Sequence, residues 1–123
     1  MPNHTTPESQ LLRKAYAAFN ARDITAALNL MTADVTWPKA FKGGFVQGPE
    51  EIRAYWGEQW GEINPSVEPM DFYPKNASQV IVAVHQVVRS LEGVVLADDR
   101  VGHCFTIRDG LIQAMELCEL PVS

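Results

Sequence analysis

Side chains able to move or hold a proton sit in the last third of this chain, inside runs that are otherwise apolar. Val80 to Val88 carries His85; Val94 to Ile107 carries Asp98, Asp99, Arg100 and His103; Ile112 to Leu120 carries Glu116. A polar group within an apolar strand costs free energy unless it is partnered, so these positions mark a wet concave face or a buried network. An imidazole oriented by a carboxylate can take or shuttle a proton near neutral pH. Tyr16, far upstream on an apolar helical stripe, can donate a hydrogen bond to developing oxyanion charge.

Register decides which of these groups meet. With Asp109 and Gly110 as the central residues of a tight turn, Arg108 faces Leu111 and His103 faces Glu116, so imidazole and carboxylate share a face with Val101, Phe105, Ile107, Ile112 and Ala114. At the preceding hairpin, a two-residue turn at Glu92-Gly93 puts Gln86 opposite Asp99 on the inner face. A three-residue loop with a bulge puts His85 there instead. His85 inside is the preferred reading, because the alternative leaves His85 and Arg100 paired outside with no evident use. Adjacent Asp98 and Asp99 point opposite ways, so only one, Asp99, can serve as a further acid or base.

The elements that must hold these groups follow from periodicity. Residues 1–9 read as a flexible start. From Gln10 to Asn20, Leu12, Ala15, Tyr16 and Phe19 recur at helical spacing. Asp23 caps a second helix, Ile24 to Met31. Asp34 to Pro38 reads as a short strand, then a loop through Phe41, Gly43, Gly44 and Phe45. Gly48-Pro49-Glu50-Glu51 opens a third helix that runs to Trp60, with acids where the backbone dipole favours them. Its Ile52, Trp56 and Trp60 form a bulky stripe beside Tyr55 and Gln59. Pro65 to Tyr73 reads as an edge strand with a bulge at its proline, and three long strands follow. Residues 10–120 make one α+β domain with helices segregated to one face of an antiparallel sheet.

Composition narrows the function. The chain has 123 residues, 46% hydrophobic and 20% charged, with a net charge of -5. Scattered basic residues and an acidic balance argue against nucleic acid as a partner. The amino terminus lacks the pattern of a signal peptide, and no stretch approaches the length of a membrane span, so a cytoplasmic location is expected. Cys104 and Cys118 have neither the number nor the spacing of a disulfide framework or zinc site and read as packed thiols. Asn3-His4-Thr5 and Asn76-Ala77-Ser78 match the glycosylation pattern, which means little without a secretory signal. A metal site from His85, His103 and a carboxylate is formally possible, but no helix carries a paired histidine motif, so no metal is expected, and the chemistry expected below needs no cofactor.

Ala15-Tyr16-Ala17-Ala18-Phe19-Asn20-Ala21-Arg22-Asp23, Leu30 to Trp37, Gly48-Pro49-Glu50-Glu51-Ile52 and Asp109-Gly110-Leu111-Ile112, in this order of elements, resemble the nuclear transport factor 2-like superfamily and its SnoaL-like branch. The resemblance runs from about Leu11 to Glu119. It implies a cystatin-like cone, a curved antiparallel sheet wrapped around three N-terminal helices. Such cones host isomerases, polyketide cyclases, dehydratases, epoxide hydrolases and proteins without catalysis, so fold does not fix function. Ketosteroid isomerase uses a tyrosine on the first helix, a base aspartate after the first strand and a protonated aspartate in a late strand. Laid without gaps, Tyr16 matches the tyrosine, while Lys39 and His103 replace the two acids, which argues against that mechanism. No Arg and Asp two residues apart occur in Val80 to Val88, as epoxide hydrolases of this fold would need. Scytalone dehydratase-like sites are matched in residue type by His85, His103 and Tyr16.

The resulting expectation is a pocket for a small, largely apolar carbonyl compound, walled by Trp37, Phe41, Trp56, Trp60, Met70, Val101 and Phe105. If it is catalytic, the chemistry is cofactor-free proton transfer: isomerisation, cyclisation or dehydration. His103 is then acid or base, Glu116 its orienter, Tyr16 or His85 an oxyanion donor, and Asp99 a second acid or base. The alternative is a non-catalytic binding or assembly module. In that reading the outer sheet face, with Ile81, Val87, Met115 and Leu117, forms a homodimer. Arg53 and Arg89 read as surface or dimer-contact residues.

Overall fold

The computed structural model describes residues 6–39 and 43–120. Helix α1 (Pro7–Asn20) starts earlier than expected because Thr6 caps it: its hydroxyl accepts from the Ser9 amide at 3.0 Å, with proline inside the first turn. Pro7 to Ser9, which read as the entry to the helix although the domain was bounded at residue 10, form its first turn, and Ser9 is buried. Arg22, at φ 61, ends this segment. Asp23 caps α2 (Ile24–Leu28) by accepting from the Ala26 amide at 3.1 Å.

Helix α2 is shorter than its apolar stripe. The Leu30 carbonyl accepts from the Ile112 amide at 2.8 Å, which draws the chain into the sheet, so that Met31 opens strand β1 (Met31–Pro38) instead of closing a helix. Phe45–Gln47, read from sequence as loop, forms a short β2 paired with β1. Helix α3 (Gly48–Glu62) follows, then β3 (Ile63–Pro74), β4 (Gln79–Ser90), β5 (Val95–Arg108) and β6 (Leu111–Cys118).

The sheet order is β2-β1-β6-β5-β4-β3. Neighbours are antiparallel except β1 and β6, which run parallel. The expected antiparallel sheet is corrected at that one ladder. A parallel pair needs a long crossover, and everything from β2 to β5 supplies it. Strand β3 lies at the sheet edge with Met70 as an unpaired bulge next to Pro69, where a residue without an N–H is tolerated. The helices lie against the concave face, closing a core of Leu12, Val35, Ile52, Trp56, Val82, Val84, Phe105 and Ile112. Asn20 fixes α1 to the edge strand by bonding both backbone groups of Val67, at 2.7 and 2.9 Å.

Candidate functional site

Two bulges set which side chains enter the cone. The Asp109-Gly110 turn has positive φ at both residues and pairs Arg108 with Leu111, as expected. The ladder then shifts: Ile107 faces Ile112 but Thr106 faces Ala114, leaving Gln113 as an extra residue. His103 is therefore opposite Leu117, while Glu116 is opposite Cys104 and exposed on the outer face. The expected His103–Glu116 pair does not form. Without the shift, the inner face would carry a carboxylate and lose Met115; with it, Ile112 and Met115 are buried in the core and the half-exposed Leu117 lines the cavity. Apolar burial gains what an unpartnered carboxylate would cost.

The other hairpin carries two irregularities that cancel. Its loop is Leu91, Glu92 and Gly93, closed by the Ser90 amide donating to the Val94 carbonyl at 2.8 Å. Arg89 faces Val95, but Val88 faces Ala97, so Leu96 is a bulge that restores the parity of a two-residue turn. Gln86 consequently faces Asp99 and points inward, whereas His85 faces Arg100 outside and bonds Asp98 at 2.7 Å. The preference for His85 inside is corrected. Asp99 shares the inner parity of His103 but is exposed and lies off the cavity lining.

Within the cone, the Tyr16 hydroxyl and His103 Nδ1 are 2.7 Å apart, with the rings stacked at 5.9 Å between centroids and Phe105 edge-on to both. Tyr16 comes from α1 and His103 from β5, so the contact joins the helical layer to the sheet. Burial pushes the Tyr16 hydroxyl well above its usual range, with the Cys118 thiol adding to the effect. Burial alone pulls His103 down to about 4, so at neutral pH both groups are uncharged. Phenol and neutral imidazole together carry two polar hydrogens, and their mutual bond uses one. Neither makes a further hydrogen bond to a described residue, so one hydrogen remains for a guest.

The pair opens on a cavity of about 70 Å³. Trp37, Trp56, Phe19, Phe105, Met31, Met115 and Leu117 supply its apolar walls, and Tyr55, Gln59 and Gln86 its remaining polar groups. Among the described residues, no carboxylate lines it. Trp37, Trp56 and Phe105 thus stand where expected. Trp60 instead packs against Phe19, Trp56 and Arg22 behind the wall, its indole nitrogen buried without a partner. Met70 is exposed at the β3 bulge, Val101 packs on the core away from the cavity, and Phe41 lies outside the described residues. Gln86 was the alternative to His85 in the sequence reading, and the Leu96 bulge decides in its favour; Met115 and Leu117 were missed because their faces depend on the Gln113 bulge, and Gln59 was visible as the helical neighbour of Tyr55. Among the described residues, no three His, Cys, Asp or Glu converge on a point where a metal could sit.

Fold and site together define a cone-shaped α+β domain of the nuclear transport factor 2-like superfamily. A family model of the SnoaL-like domain matches residues 12–115, and the chain belongs to that family. Among solved structures, TerC co-crystallised with polyporic acid is similar at TM-score 0.81 and 27% identity, over 94% of this chain and 92% of that one. A Mycobacterium tuberculosis protein in complex with estradiol-17beta-hemisuccinate is similar at TM-score 0.78 and 17% identity, over 92% and 93%. A putative polyketide cyclase from Sinorhizobium meliloti is similar at TM-score 0.76 and 18% identity, over 89% and 94%. No curated protein sequence matches the chain significantly. No helix among the described residues is long and apolar enough to cross a membrane.

Proposed function

We propose that this protein binds a small, largely apolar carbonyl compound, with the carbonyl oxygen on the Tyr16–His103 pair and the ring between Trp37, Trp56 and Phe105. The observation that carries this reading is the unspent polar hydrogen of a buried neutral pair at the end of an aromatic cavity. Such a hydrogen gains most where charge develops on oxygen and water is excluded. The pair therefore stabilises an enol or enolate form of its guest. A neutral imidazole serves here as a donor, not as a base, and Tyr16 takes the orienting part expected of Glu116. Isomerisation, cyclisation or dehydration next to a carbonyl needs this stabilisation. With no carboxylate lining the cavity, the departing proton goes to water or to a basic atom of the ligand itself. The complexes of TerC with polyporic acid and of the M. tuberculosis protein with a steroid hemisuccinate show small organic molecules bound by similar chains.

The test is binding and α-hydrogen exchange of acetophenone in deuterated buffer, followed by NMR. Tyr16→Phe and His103→Gln should each weaken binding roughly tenfold, the effect of losing one buried hydrogen bond, and slow any catalysed exchange by about a hundredfold. Unchanged binding in both variants would remove the pair from the site. Exchange no faster than in buffer alone would leave a binding protein without this catalysis.

The second reading, a homodimer, rests on the outer face of β4, β5 and β6, which none of the described helices covers. Ile81, Ala83, Val87, Gly102 and Cys104 form its middle, whereas Met115 and Leu117, expected there, are turned inward by the Gln113 bulge.

A further inference from the structure

A second hollow of about 320 Å³ adjoins the cavity that holds Tyr16 and His103, lined by Ile63, Val88, Leu96 and Ala97 together with Glu62. The two spaces share Tyr55 and Gln59. These side chains are one helical turn apart on α3, and the Gln59 amide donates to the Tyr55 hydroxyl at 3.4 Å, a long and therefore weak bond. The opposite wall is continuous as well. Gln86 lines the inner cavity and Val88 the hollow, two residues apart on the same face of β4. Val88 in turn faces Ala97 on β5. Leu96, more than half exposed, is the bulge residue next to it, and bulges of this kind re-aim a side chain beside a site.

The inner cavity alone is well below the roughly 300 Å³ at which ligand pockets begin; with the hollow, the space reaches the lower end of that range. We infer that the hollow is a second subsite, continuous with the first, which takes the apolar tail of an elongated ligand whose carbonyl rests on Tyr16 and His103. Gln59 is the partition between them, and the ligand turns it aside by breaking a weak bond. Apolar walls with Glu62 at the margin, on a chain of net charge -5, select a neutral tail over an anionic one. The substrate class is then an aryl ketone or enol with a neutral alkyl or aryl substituent opposite the carbonyl. This inference rests on the carbonyl-binding reading for the position of the head group.

The experiment compares acetophenone with its para-butyl analogue by tryptophan fluorescence and NMR, on the whole chain. Wild-type protein should bind the butyl compound at least about tenfold more tightly, as burial of several methylenes requires, and the terminal methyl of the tail should show NOEs to the methyls of Val88 and Leu96. Ala97→Phe fills the hollow; it should abolish the preference while leaving the acetophenone affinity unchanged. Equal affinities in wild type, or a tail with no NOE to Val88 or Leu96, would overturn the subsite, and the NOE reading needs no variant to fold. An equal loss of both probes in a folded Ala97→Phe protein would overturn it too. If the tail contacts Val88 but Tyr16→Phe changes nothing, the subsite stands and the carbonyl reading falls; if neither probe binds, both fall.

Discussion

A tyrosine and a histidine in contact can be a reactive couple or ordinary filler, and burial decides how this one behaves. His103 is 5% exposed and its only hydrogen-bond partner among the described residues is uncharged, so protonating it in the folded state carries the full cost of desolvation. The folded value, about 4, lies below the ordinary imidazole value of 6.5. The unfolded chain therefore binds the proton more readily, and stability is fully present above about pH 6.5 and lost as the pH falls through about 4, by on the order of 3 kcal/mol. Urea unfolding between pH 7 and 4 should show this slope, and His103→Gln should flatten it over that window while leaving the background from the carboxylates. An equal slope in both proteins would mean that folding does not shift the proton affinity of His103, and would remove the buried, neutral imidazole on which the donor role rests. Both members of the pair were visible in the sequence, Tyr16 as a polar tip on a helical stripe and His103 as an imidazole in an apolar strand. Their contact was not, since it links residues 87 positions apart through a sheet curvature that no local pattern encodes.

At the scale of elements, the bulges carry more of the function than the strands. The tight turn at Asp109-Gly110, the Asp23 cap, the Gly48-Pro49 helix start and the irregular edge strand were legible, because each follows from a local preference for φ or for a cap. Counting outward from a turn fails at the first extra residue, and Gln113 is one. The spacing of Ile112, Met115 and Leu117, three then two, matches neither a straight strand nor a helix; only the demand of the helices for apolar contact chooses the register. Deleting Gln113 should restore simple alternation, turning Glu116 toward His103 and Met115 outward. That exchange should lower stability by roughly 2–4 kcal/mol, chiefly the cost of taking the buried Met115 side chain out of the core. Gln113→Ala, which keeps the extra residue, should cost less than about 1 kcal/mol. Denaturant midpoints of the two variants check this, and equal midpoints would mean that the bulge does not set the register. Strand β2 escaped sequence reading for a different reason: a three-residue strand beside Gly43 and Gly44 leaves too short an alternation to see.

For the whole molecule, the helices close one face of the sheet and leave the other uncovered, so self-association is a question about that face. Its middle is made of short side chains. Gly102 lies so close to β6 that an added Cβ would sit 2.5 Å from the Cys118 carbonyl oxygen, and Ala83 and Cys104 are buried among their own neighbours. Such a surface lets a second sheet approach to about 10 Å, the usual spacing of packed sheets. Charges of both signs surround it, with His85 bonded to Asp98 at 2.7 Å and Arg100 at 4.0 Å from Asp71. In a two-fold dimer every contact occurs twice, so Ile81→Arg on this face adds a like charge to each copy and breaks its apolar middle. Wild-type protein should sediment as a dimer at about 10 μM, in the affinity range of ordinary reversible interfaces, and Ile81→Arg as a monomer with unchanged near-UV circular dichroism. Because each copy carries a net charge of -5, added salt should strengthen the dimer by screening repulsion, whereas an interface made by opposite charges would weaken. A wild-type monomer at about 100 μM would end the dimer reading and leave the concave site as a complete unit within one chain.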